Sequence, residues 1–252
     1  MGFGNDWEPA QPHLTFQDQF VLIADNPKPS NCFVFSKIKE TGFRYSLAIL
    51  FNRLIPRCLF RCRRFLIFQL TAPTRQNRTG SHYTCVWSTG QTERQAASQL
   101  TGVEYPPANA RLATVFENET LVAAVWLSPE SFAELELGIR FHLNNDDFWL
   151  FSAYVVPAYR RRGIYRCLLR FVANSTYEEN PKSRIWFAVN PDNLRSMKAH
   201  ADFGVTPQAR VKAFRLFNMT YAGVVPLNES HVQTERSLTM HSQRNPLVVG
   251  LS

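Results

Sequence analysis

No apolar run in this chain approaches the roughly 20 residues that a membrane-spanning helix needs. The stretch Ser46–Phe51, for example, stops at Asn52 and Arg53. The first residues, MGFGNDWEPAQPH, lack both the basic start and the apolar centre of a secretory signal, so none is expected. Asp6 stands where an N-myristoylation signal wants Ser or Thr. Cysteine is sparse: Cys32, Cys58, Cys62, Cys85 and Cys167 form an odd, irregular set, which argues against a disulfide framework. Cys58 and Cys62 are one helical turn apart, but no second pair or histidine spacing completes a zinc site, so no metal is expected. The cysteines read as ordinary reduced residues of a cytoplasmic chain. Acidic residues are missing altogether from Thr41 to Thr92, while Arg44, Arg53, Arg57, Arg61, Arg63, Arg64, Arg75 and Arg78 fall within that stretch.

What is present is a chain of 252 residues, 45% hydrophobic, enough for a sizeable core in one large domain or a domain with an extension. The net charge of +8 permits attraction to nucleic acid, anionic lipid or an anionic cofactor without choosing among them. Tyr45–Ile55 reads as a helix, Pro56 breaks it or begins another, and Arg57–Arg64 sets Leu59 and Phe60 among arginines. Three readings stay open for this basic amphipathic segment, residues 44–64. It is a helix packed on the domain with solvated arginines, a peripheral membrane contact with anionic lipid, or, least supported because no recognised motif accompanies the charge, a nucleic-acid surface.

Further along, Arg64–Ala72 has the composition of a strand and Thr92–Leu100 that of a short helix. Arg111–Glu117 and Thr120–Leu127 flank Asn118-Glu119 as a hairpin, and Gly138–His142 is a further short strand. Arg210–Thr220 alternates polar and apolar residues as a final strand. From Leu227 the chain turns polar and is expected to be poorly ordered.

The centre of the chain is Phe148 to Val205. Phe148–Val156 is aromatic and β-branched, as a strand buried on both faces should be, and Pro157 closes it. Arg160, Arg161, Arg162 and Gly163 follow, then a helical pattern that places Ile164, Leu168, Phe171 and Val172 on one face. Ile185–Val189 is a second strand, and Asn193 to Phe203 a short helix that Gly204 can end. A loop feeding a helix N-terminus offers unpaired N–H groups and the positive end of the helix dipole. Three arginines and a glycine beside it suit a phosphate or pyrophosphate. A solvated basic turn is the other reading of the same residues.

The order of these elements resembles the central motif of the GNAT superfamily of acyl-CoA N-acyltransferases. That family carries Val-x-Pro near the end of a strand, then Arg/Gln-x-x-Gly-x-Gly/Ala; here Val155-Val156-Pro157 precedes Arg160-Arg161-Arg162-Gly163-Ile164-Tyr165. The family's next block, Asn-x-x-Ser/Ala followed by Gly-Phe, is matched by Asn193 to Ser196 and by Gly204-Val205. Tyr165 stands where the family has Gly or Ala, and Val205 where it has Phe. The resemblance covers about a quarter of the chain. It implies an α/β (α+β) fold: a mixed, mostly antiparallel sheet splayed between two central strands and flanked by helices. The implied division is an extension over 1–63 with the basic amphipathic helical segment, an acyltransferase domain over 64–226, and a polar tail over 227–252.

The resemblance also implies a co-substrate, acetyl-CoA or another acyl-CoA, and no metal. The backbone of Tyr154, Val155 and Val156 would meet the pantetheine, with the Val155 N–H a donor to the thioester carbonyl. The turn Arg160, Arg161, Arg162, Gly163, Ile164 and Tyr165 would hold the pyrophosphate, and Asn193 and Ser196 would contact pantetheine. His200 falls where many members carry a tyrosine that protonates the departing thiolate; the alternative is a surface histidine on a short helix. No single carboxylate stands out as general base among Glu117, Glu119, Asp146 and Asp147, and a chain of waters could serve. The implied activity is transfer of an acetyl group to a primary amine of a small-molecule or carrier-linked acceptor, such as an amino sugar or a lipid-linked substrate. The alternative is a GNAT-like fold that binds CoA, or a membrane surface, without turnover.

Overall fold

The computed structural model describes residues 60–70, 83–130, 132–134, 137, 139–217, 219–227, 236–240 and 247–250. In chain order the elements are β1 (Phe60–Leu70), β2 (Cys85–Ser88), α1 (Gln91–Thr101), β3 (Arg111–Glu117), β4 (Thr120–Ser128), β5 (Phe132–Glu134) and β6 (Ile139–His142). They continue with β7 (Asp147–Val155), a 3-10 turn (Pro157–Tyr159), α2 (Ile164–Glu179), β8 (Arg184–Val189) and α3 (Leu194–Phe203). β9 (Pro207–Leu216), β10 (Met219–Pro226), β11 (Arg236–Met240) and β12 (Leu247–Gly250) complete the set.

Nine strands form one sheet in the order β11-β10-β9-β1-β8-β7-β4-β3-β2, and β12-β6-β5 form a small second sheet. Within the large sheet every described pairing is antiparallel except β7 with β8. The mixed, mostly antiparallel sheet with helices beside it is the expected fold class.

Alternation along the central strands builds a core on each face. In β1, Leu66 and Phe68 join Ile185, Phe187 and Val189 of β8 beneath α2, whose Ile164, Leu168, Leu169, Val172 and Ala173 are buried there. Phe65 and Ile67 point the other way, to Leu137, Phe141, Trp149 and Trp186. A third cluster seats α1 on the sheet through Ala97, Leu112 and Trp126. The Trp126 indole N–H donates to the Thr101 hydroxyl at 3.0 Å, and that hydroxyl donates to the Ala97 carbonyl at 2.7 Å. These bonds satisfy polar groups that burial would otherwise leave unpaired.

The β3–β4 hairpin turns at Asn118 and Glu119, both at positive φ (48° and 64°), the backbone that a tight two-residue hairpin turn demands. Phe171, expected on the buried face of α2, lies half-buried against Trp87 at 5.3 Å.

Three expectations are corrected. β1 starts at Phe60, so the last residues of the basic stretch are strand and not helical. Cross-strand pairing with β9 overrides the local pattern there: Arg61 lies opposite Arg215, and Arg63 reaches Glu134 at 3.3 Å. The strand expected over Arg210–Thr220 is two strands, β9 and β10, reversing at Phe217 with φ 50°. The tail also contains β11, paired with the edge of β10, and β12, parallel to β6. Backbone hydrogen bonds to an open edge need no apolar sequence, which is why composition hides a strand such as β11, RSLTM. The helix expected over Tyr45–Ile55 lies outside the described residues.

Candidate functional site

β7 and β8 pair over only three residues, Asp147 with Arg184, Phe148 with Ile185 and Trp149 with Trp186. Beyond them β7 stays with β4, up to Ala123 opposite Val155, while β8 stays with β1, up to Leu66 opposite Val189. The two central strands therefore part and leave a gap that opens toward the turn at Pro157.

Asp147 pins the closed end. Its carboxylate is 1% exposed and accepts from Arg184 Nε at 2.7 Å and Nη2 at 3.0 Å, and from the Asn144 N–H at 3.1 Å. Asp146 accepts from Asn180 Nδ2 at 2.9 Å beside it. Both lie at the far end of β7 from Val155, so neither faces the open end of the gap. Glu119 is exposed on the hairpin turn, and Glu117 sits 3.9 Å from Arg162. The structure thus ties three of the four candidate carboxylates to partners of their own.

At the open end the Val156 N–H donates to Val122 of β4 at 2.9 Å, and Tyr154 lies opposite Ala124. Strand alternation then turns Val155 alone toward the gap. Of the three expected backbone positions, Val156 is committed to β4. The Val155 carbonyl accepts from Arg160 Nε at 3.0 Å, and the Arg160 guanidinium lies over the Tyr154 ring at 5.6 Å. Arg160 braces the turn onto the strand it has just left. Upstream, Ser152 has φ 50° where the β4–β7 register slips, a bulge that bends β7 away.

The turn reaches α2 through two left-handed residues, Arg161 at φ 66° and Gly163 at φ 79°. The first bond of the helix runs from the Cys167 N–H to the Gly163 carbonyl at 3.0 Å. The N–H groups of Ile164, Tyr165 and Arg166 precede it and have no partner within the helix. The Ile164 side chain is 1% exposed and belongs to the core, so only its backbone can serve a ligand. Arg161 and Arg162 are exposed, with the Arg162 guanidinium 5.0 Å from the Tyr159 ring centre. This is a helix N-terminus with a basic collar, able to hold a phosphate group.

Asn193 caps α3: its Oδ1 accepts the Ser196 N–H at 3.1 Å, and the residue is 8% exposed. The Ser196 carbonyl in turn accepts from His200 Nδ1 at 2.7 Å. Both motif residues thus have local duties in shaping α3.

His200 is 3% exposed, stacked on Phe187 at 4.6 Å and near Phe68 at 5.7 Å. Burial pulls its pKa down to about 4, against a smaller opposing pull from the Ser196 carbonyl. At neutral pH the ring is therefore uncharged. A carbonyl can only accept, so Nδ1 carries the proton and Nε2 offers its lone pair. That lone pair receives the hydroxyl of Tyr165, 2.8 Å away. Tyr165 is held well above the usual phenol range by burial and stays protonated.

In this arrangement the one proton of His200 is given to a carbonyl and its other nitrogen accepts. The ring is not that of a surface histidine. Tyr165, the departure from the motif, is the group that completes the pair. No spacing in the sequence links the two positions, which lie 35 residues apart.

Three solved structures show the range of likeness. A GNAT-family protein of Novosphingobium aromaticivorans is 14% identical with TM-score 0.45, over 60% of this chain and 63% of that one. A GCN5-related N-acetyltransferase from Kribbella flavida is 12% identical with TM-score 0.42, over 70% and 63%. One from Sphaerobacter thermophilus is 16% identical with TM-score 0.43, over 66% and 55%. The chain therefore spans less than two thirds of the length of each. No curated protein matches the sequence. The acetyltransferase (GNAT) family matches residues 76–205, more than half of the chain and the whole span from β2 to the end of α3, with the parted strands and the Gly163 turn inside it. The chain belongs to the acetyltransferase (GNAT) family.

Proposed function

We propose that the protein is an N-acetyltransferase that moves an acetyl group from acetyl-CoA to a primary amine, with an amino sugar or a lipid-linked amine among the candidate acceptors. The observation that carries this reading is the gap between β7 and β8 opening beside the N–H groups at the start of α2 that have no partner within the helix. An acyl thioester is already activated, so the protein must supply position, a donor to the carbonyl oxygen and a path for one proton.

The residues present fit such a co-substrate. The N–H groups of Ile164, Tyr165 and Arg166, with the exposed Arg161 and Arg162, would hold the pyrophosphate. Val155 would meet the pantetheine or the carbonyl with its N–H. The amine loses one proton and the departing sulfur gains one, so the net count is zero. The proposed donor of that proton is the Tyr165 hydroxyl, which would turn its hydrogen bond from His200 to the sulfur of a folded pantetheine arm. His200 acts as its positioning residue, because it holds the phenol without competing as a charged group.

The decisive experiment is thermal stabilisation by acetyl-CoA, on the wild type and on Gly163→Glu. At 100 times its dissociation constant a native-state ligand adds about 2.7 kcal/mol. A shift in the wild type that the variant loses supports the cradle, and thiol release with a panel of amines then separates turnover from binding alone. No shift with any acyl-CoA overturns the reading.

A further inference from the structure

Cys85 in β2 and Cys167 in the first full turn of α2 bring their sulfurs to 3.2 Å, across 82 residues of sequence. Both are thiols, both are half-buried, and β2 is an edge strand of the large sheet. From this geometry we infer that Cys85 and Cys167 are a modification site: a dithiol that closes to an intramolecular disulfide when it meets a small-molecule disulfide oxidant such as oxidised glutathione.

The distances favour closure. Two sulfurs 3.2 Å apart are already inside ordinary van der Waals contact, and a disulfide of about 2.05 Å needs them to approach by little more than 1 Å. The movement falls on one strand of four residues, β2, which among the described residues pairs only with β3. Cys167 Sγ also lies 3.7 Å from the Tyr83 carbonyl just ahead of β2, so the approach is held from both sides.

The chemistry balances within the pair. The Cys167 thiolate attacks one sulfur of the oxidised glutathione, forms a mixed disulfide and releases one glutathione thiolate. Cys85 then loses its proton and attacks Cys167 Sγ, which expels the second glutathione. Two electrons and two protons leave the protein and turn one small disulfide into two thiols. Burial and the neighbouring Cys167 both push the Cys85 thiol up. The new bond would tie the sheet edge to the turn of α2 whose Cys167 N–H closes on Gly163. The proposal goes beyond acetyl transfer and does not depend on it.

The test uses the full chain, equilibrated with mixtures of reduced and oxidised glutathione, blocked with an alkylating agent and digested without reduction. The expected product is one linked peptide pair, Cys85 with Cys167, that is retained in Cys62→Ser. The oxidised wild type should melt at least about 3 °C above the reduced form, because the crosslink closes a long loop of the unfolded chain. That rise should vanish in Cys85→Ser. Separate glutathione adducts on the two residues would overturn the proposal. So would pairing of either with Cys32, Cys58 or Cys62, or both thiols remaining reduced in a large excess of oxidised glutathione. The peptide map is read on the wild type, so a poorly folding variant does not blunt it.

Discussion

The Tyr165 hydroxyl donates to His200 Nε2 at 2.8 Å, joining the first turn of α2 to the last turn of α3. The bond has one direction only, because His200 Nδ1 is already spent on the Ser196 carbonyl. Replacing Tyr165 with Phe keeps the ring against its neighbours and removes the hydroxyl. If that hydroxyl serves the departing sulfur, Tyr165→Phe lowers kcat by about 100-fold or more with little change in KM for acetyl-CoA. An unchanged kcat rules the hydroxyl out.

His200 also makes stability depend on pH. Its folded pKa of about 4 lies below the ordinary 6.5, so the unfolded chain binds the extra proton first as pH falls. The contribution is whole above about pH 6.5, shrinks as pH falls toward 4, and amounts to something on the order of 3 kcal/mol. Melting temperatures from pH 7.5 to 4 should fall more steeply in the wild type than in His200→Gln. Parallel curves would show that the ring does not control the acid limb.

Asp147 and Arg184 set where the central strands begin to part. Asp147→Ala removes two hydrogen bonds to Arg184 and the acceptor for the Asn144 N–H, and should cost about 2 kcal/mol or more. Asp147→Asn keeps an oxygen for Asn144 and should cost less. Urea denaturation of both variants measures the difference, and equal losses would show that the amide cannot replace any of the bonds.

Gly163 separates strain from charge. A Cβ there meets nothing within 4 Å, so Gly163→Ala is penalised only by its φ of 79°, about 1 kcal/mol. Gly163→Glu has the same backbone penalty and adds a negative charge beside the helix N–H groups. Acetyl-CoA should still stabilise the alanine variant in a melting assay and should fail to stabilise the glutamate one. Failure of both would point to the backbone angle, not the charge.

The chain by itself determined whatever local pattern controls. Phe148–Val156 and Ile185–Val189 are apolar enough to be central strands in any setting, and they appear within a residue or two of where the sequence puts them. Gly204 takes the left-handed backbone that a helix stop required, and Asn193 caps as its type predicts. Only the tertiary structure decided what is joined across long separations. Tyr165 meets His200, Cys85 meets Cys167, and Val155 but not Val156 turns to the gap, because each depends on which strands pair and in what register. The same holds for β11 and β12, whose residues find strand partners only once an open edge is there to receive them. Hydrophobic period is written residue by residue along the chain, whereas register and pairing are set by the packing of the whole sheet, which no short window of sequence contains.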